Sequence, residues 1–122
     1  MSWRGVIIEE SLEDPSILNL VRIVKTEKSF LENEDEKGIL HFHCVEVEKK
    51  DDFIEKAKKS IKQGWYMHIC KDGMMIVIFR NKVFEFSERE KGKIAEAKNY
   101  GISIGILPEQ MEIENLIRQP FD

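Results

Sequence analysis

The stretch Trp65-Tyr66-Met67-His68-Ile69-Cys70-Lys71-Asp72-Gly73-Met74-Met75-Ile76-Val77-Ile78-Phe79-Arg80 decides the reading of the fold. Asp-Gly between two β-prone apolar runs is a strong signal for a two-residue hairpin turn. It predicts antiparallel strands over 65–70 and 74–80, and a tighter turn near Asn81 leads to another strand over 83–86.

The same pattern continues upstream. Val6-Ile7-Ile8 starts a short strand that ends in the acidic Glu9-Glu10. Asp14-Pro15 opens a brief helix, because aspartate accepts from free amides and proline at the first helical position loses no bond. Residues 21–47 read as a long hairpin around the charged 32–38 turn. The clearest helix covers 51–62, where Phe53, Ile54, Ala57 and Ile61 share an arc of about 100°. Gly64 stops it. Ser87 and Glu90 form a capping-box pattern that opens a second helix, with Gly101 as its expected end and 102–106 β-prone. Pro108 precedes a last short helix bearing Ile113, Leu116 and Ile117.

Strands outnumber helices, and most strand connections are hairpins. The expected class is therefore α+β: a mostly antiparallel, in part mixed, sheet of five to six strands with two main helices on one face. The 39–47 strand, the 51–62 helix and the 65–70 strand suit a parallel crossover within that sheet. No repeat or linker divides the chain, so one domain over 1–122 is expected.

Composition excludes some functions. The net charge is −4 and the pI near 5.5, which argue against a surface dedicated to coating nucleic acid. The longest apolar run, Met74 to Phe79, is too short to span a bilayer. Cys44 and Cys70 do not make a disulfide framework, and the opening residues lack the apolar stretch of a secretion signal. A reducing cytoplasm is the expected setting, with both thiols free.

All three histidines lie in two runs, Leu40-His41-Phe42-His43-Cys44 and Met67-His68-Ile69-Cys70. If the two are neighbouring strands with their more apolar faces inward, His41, His43 and His68 emerge on one surface. Three imidazoles on adjacent strands can hold a catalytic zinc with an open position. The His-Phe-His spacing resembles that of carbonic anhydrases over those three residues only. Against this, Val45 and Val47 share the parity of His41 and His43. Either the strand is bulged near Cys44, or both its faces are partly buried. The ordinary account is that the histidines are partly buried sheet residues bonded to neighbours. Tyr66 and Cys70 share the side of His68 and are candidate ligand-pocket residues, although buried free cysteine commonly packs as a small hydrophobe.

Other clusters are weaker. Lys56, Lys59 and Lys62, within the 49–62 lysines, are candidate nucleic-acid contacts, but acidic neighbours balance them. Glu9, Glu10, Glu13 and Asp14 offer hard oxygen ligands for a divalent cation, or simply a solvated strand end. Trp3, Trp65, Tyr66 and Phe121 read as packing anchors.

The opening Trp3-Arg4-Gly5-Val6-Ile7-Ile8-Glu9-Glu10, with Leu40-His41-Phe42-His43, Gly64-Trp65-Tyr66 and the ending Pro120-Phe121-Asp122, resembles a small prokaryotic, mainly archaeal family of conserved proteins without assigned activity. The resemblance spans most of the chain and implies an intracellular single-domain protein. It brings no catalytic residues with it.

With no phosphate loop, nucleophile elbow or Cys-x-x-Cys motif, the leading expectation is a binding or assembly module without catalytic machinery. Its sheet face or edge would pair with another copy, a dimer being favoured. The rival is a zinc-type enzyme of the hydrolase or lyase class using His41, His43 and His68. Nucleic-acid contact through residues 49–62 comes third.

Overall fold

Among the residues described by the computed structural model, 2–30 and 35–119, six strands form one sheet. They are β1 (Trp3–Ile8), β2 (Arg22–Ser29), β3 (Leu40–Val47), β4 (Met67–Lys71), β5 (Met74–Phe79) and β6 (Lys82–Ser87). Their order is β2-β3-β1-β4-β5-β6, and neighbouring strands are all antiparallel. Part of the expected 32–38 turn and the 120–122 ending lie outside the described residues.

The hairpins are where the sequence places them. Asp72 and Gly73 have φ of 52° and 80°, the left-handed pair that a tight hairpin turn demands. The 21–47 hairpin is β2 against β3, with a bulge between Ile23 and Lys25. Asp14 accepts from the Ser16 amide at 3.0 Å and opens a 3-10 segment, Pro15–Leu20.

Three α-helices follow: α1 (Lys50–Ser60), α2 (Lys91–Ser103) and α3 (Ile113–Leu116). α1 joins β3 to β4, which point the same way with β1 lying between them. The α+β class holds, but the helices do not share one face. Ile7, Val45, Val47, Ile69, Ile76 and Ile78 form one core with Phe53, Ala57 and Ile61 of α1 and its flank. Met75, Val77, Phe79 and Phe86 form a second core with Ile94 and Ala97 of α2 and Ile113 of α3. Odd and even residues of β5 therefore enter different cores. This accounts for its unbroken apolar run, since a strand covered on both sides gains nothing from polar alternation.

The second helix also differs from expectation. Gly101 lies inside α2 rather than ending it, and 102–106 continue the helix and its turn instead of forming a strand. A side chain at Gly101 would meet Met111 at 2.8 Å, so this glycine serves close packing. The stop is Gly105, at φ +99°, with the Ile106 amide donating back to the Gly101 carbonyl. No helix among the described residues is long and apolar enough to cross a membrane.

Gly5, at the centre of β1, opposes Val45 on one side and Ile69 on the other. A Cβ there would lie 1.9 Å from the His68 carbonyl oxygen. Replacing a strand glycine by alanine normally stabilises, so the sign of Gly5→Ala is diagnostic. We expect it to cost about 3 kcal/mol or more in chemical denaturation, the upper range for overpacking, because backbone rather than a flexible side chain must give way. An unchanged midpoint would show that β1 and β4 are not so closely apposed.

Candidate metal centre

The end of β1 delivers two carboxylates to the start of β3. Beyond Ile8 the chain turns through one 3-10 segment, Glu9–Ser11. That turn is pinned from both sides. The Ser11 hydroxyl donates to the Ile8 carbonyl at 2.6 Å, and the Lys62 amide donates to the Ser11 carbonyl at 2.8 Å. Because Ile8 is registered with Phe42 and Ile7 with His43, Glu9 and Glu10 arrive beside His41 and His43.

Two carboxylate–imidazole pairs result. Glu10 Oε2 lies 2.6 Å from His41 Nδ1, while Glu10 Oε1 accepts from the His41 backbone amide at 2.7 Å. Glu9 Oε1 lies 2.9 Å from His43 Nε2. The other ring nitrogen of His43, Nδ1, lies 2.8 Å from the hydroxyl of Thr26, the residue opposite it on β2. One ligand atom each from Glu9, Glu10 and His41 lies within 4.8 Å of the others. Among the described residues this is the one grouping of at least three histidine, cysteine or acidic side chains so close together. His43 is nearly enclosed, whereas Glu9 is about half exposed, so the cluster opens to solvent on the Glu9 side.

The protons follow from the chemistry of the partners. A carboxylate only accepts, so His41 Nδ1 and His43 Nε2 each donate to a glutamate, and the Thr26 hydroxyl donates to His43 Nδ1. Burial pushes the Glu10 carboxyl up, but hydrogen bonds from the His41 amide and ring outweigh it and hold the group below its ordinary value.

His68 is not part of this centre. β1 lies between β3 and β4, and directly opposed residues share a face. His68 opposes Val6, which opposes Cys44, so His68 points to the side opposite His41 and His43. The three-imidazole site expected from the sequence therefore does not form. β3 is not bulged there; both its faces are covered, the second of the two alternatives weighed for the Val45 and Val47 parity. The ordinary account of His41 and His43, bonded to neighbours, matches their hydrogen bonds.

On that other face His68 lines a cavity of about 160 Å³ with Val6, Ile8, Phe42, Trp65 and Tyr66. Of the two expected pocket residues, Tyr66 is there, its hydroxyl donating to the Gln110 carbonyl at 2.5 Å. Burial drives its pKa well above the ordinary tyrosine range, with Glu112 adding to the effect. Cys70 is not in the lining. Its thiol points to the Leu116 carbonyl inside the second core, and burial pushes it up to about 12. Burial raises the Cys44 thiol as well. Neither cysteine is a poised nucleophile. Of the lysines, Lys56 pairs with Asp14 at 3.2 Å, and Lys59 and Lys62 are exposed.

In comparisons with protein-family models, with curated proteins and with solved structures, nothing matches this chain.

Glutamate and histidine were each legible as candidate ligands, but as separate clusters. Their meeting depends on the antiparallel register of β1 with β3, which no local pattern announces. The Glu10 pairing has a pH signature. Its ionised form contributes stability that is complete above the ordinary value of 4.5 and lost as pH falls through the lower folded value. The stability gap between wild type and Glu10→Gln, followed by denaturation, should be widest near neutral pH and close as acid is added. A gap independent of pH would refute the pairing.

Proposed function

We propose that the protein binds a first-row divalent ion of the zinc, iron or manganese type through Glu9, Glu10 and His41, with His43 holding Glu9 from behind. The observation that supports this reading is how the ligand groups are tied back. Glu10 Oε1 is held by a backbone amide while Oε2 faces the cluster. Glu9 Oε1 is held by His43 Nε2, and His43 Nδ1 by Thr26 in turn. Such outer bonds orient first-row metal ligands and set their tautomer. An ion replacing the proton on His41 Nδ1 would let that proton move to Nε2 of the partly exposed ring, while His43 stays bonded between Thr26 and Glu9.

The mixed nitrogen and oxygen donor set favours these ions over calcium or magnesium, which take oxygen alone. A bound ion supplies Lewis acidity, the basis of hydrolase and lyase chemistry. The exposed Glu9 side gives a substrate or water its approach.

Elemental analysis and titration calorimetry with zinc and manganese test the reading. We expect one ion per chain, with affinity lost as the solution is acidified, because added protons compete with the ion for the same ligand atoms. His41→Ala or Glu9→Gln should weaken binding about a hundredfold, and Thr26→Val about tenfold, as loss of a supporting bond does. His68→Gln should bind as wild type does. Absence of stoichiometric uptake, or equal loss in His68→Gln, would overturn the assignment.

A further inference from the structure

The apolar exposure of this molecule is concentrated at one margin. Among the described residues six large hydrophobic side chains are exposed: Leu20, Ile23, Val24, Phe30, Ile39 and Ile102. All but Ile102 lie on β2 or beside it. Phe30 and Ile39, extending the register past Ser29 and Leu40, are the most exposed, at 63% and 67%. β2 ends the sheet, and all eight of its residues are exposed. An edge of this length with flanking apolar side chains is a template for another strand.

The strand's charges say which one. In Arg22-Ile23-Val24-Lys25-Thr26-Glu27-Lys28-Ser29, an antiparallel copy centred on Thr26 sets Thr26 against Thr26. It sets Lys25 against Glu27 twice, and Val24 against Lys28 twice. Opposite charges face each other and no like charges do. Threonine pairs and opposite-charge pairs are favourable cross-strand neighbours. Lys25 and Glu27 already contact each other within the strand, at 3.1 Å, so pairing would exchange partners rather than desolvate a lone ion. Edge lysines and the bulge at Ile23 and Lys25 are ordinary guards against indiscriminate pairing. Centring the pair one residue away, on Lys25 or Glu27, would set like charges against each other, so the alternation of sign favours the Thr26 register over its neighbours.

We propose that β2 pairs with β2 of a second copy about a two-fold axis at Thr26, forming a continuous twelve-stranded sheet. Thr26 is registered with His43, so the two His43 positions lie on the same face, three strand spacings or about 14 Å apart. The test of this pairing stands apart from the metal reading, since Lys25 and Glu27, the residues it changes, lie on the face opposite Thr26 and His43.

Sedimentation velocity over a concentration series, on wild type and charge variants, tests it. Wild type should dimerise. Glu27→Lys sets lysine against lysine twice and should weaken the dimer about tenfold or more. The double variant with Lys25→Glu and Glu27→Lys restores the complementarity and should restore the dimer. A wild type that stays monomeric throughout would overturn the proposal and leave the edge to a strand of another protein. A dimer indifferent to Glu27→Lys would overturn it by placing the interface elsewhere. The folded state of each variant is read independently from its denaturation midpoint.

Discussion

A strand with no side chain at its middle holds the two halves of this sheet together. β1 is inserted between β3 and β4, and the approach of the His68 carbonyl to Gly5 leaves no room for a Cβ. Much follows from that insertion. β3 and β4 are kept apart, and α1 must cross over β1 to link them. The end of β1 falls at the start of β3, which places Glu9 and Glu10 beside His41 and His43. The same registers put His68 on the reverse side, at the wall of a cavity. Long-range pairing of an N-terminal strand is costly in chain entropy, and the sheet recovers that cost only because both its faces are covered.

Local features were legible because local physics sets them. The Asp72-Gly73 turn needs two left-handed residues, and aspartate and glycine tolerate that conformation best. The α1 face follows from Phe53, Ala57 and Ile61 recurring at helical spacing, and all three are fully buried. What was not legible is what depends on distant partners. Gly101 looks like a helix stop in isolation, yet its role is to let Met111 and Phe79 approach α2. The division of helices between faces had a signal that alternation rules do not weigh, the unbroken run Met74–Phe79. The Val45 and Val47 parity pointed the same way, since a half-exposed strand would not put valines and histidines on one side and cysteine and phenylalanine on the other.

The glutamate–histidine cluster combines two roles that need not compete. As hydrogen-bonded pairs, the four side chains fasten the 3-10 turn after β1 to the first residues of β3. As ligands, Glu9, Glu10 and His41 would exchange the proton on His41 Nδ1 for a metal ion while His43 keeps its bond to Glu9.

Thr26 connects this centre to the sheet edge. Its hydroxyl holds a ring nitrogen of His43, and its backbone belongs to the outermost strand. An unpaired edge strand frays more readily than a central one, because its backbone bonds are satisfied on one side only. Any partner that pairs with β2 would therefore stiffen the residue that sets the His43 tautomer. If self-pairing orders β2, part of the entropy that ion binding must otherwise overcome would already be lost. The edge and the centre would then be linked through one side chain, since Thr26 holds the histidine that holds Glu9.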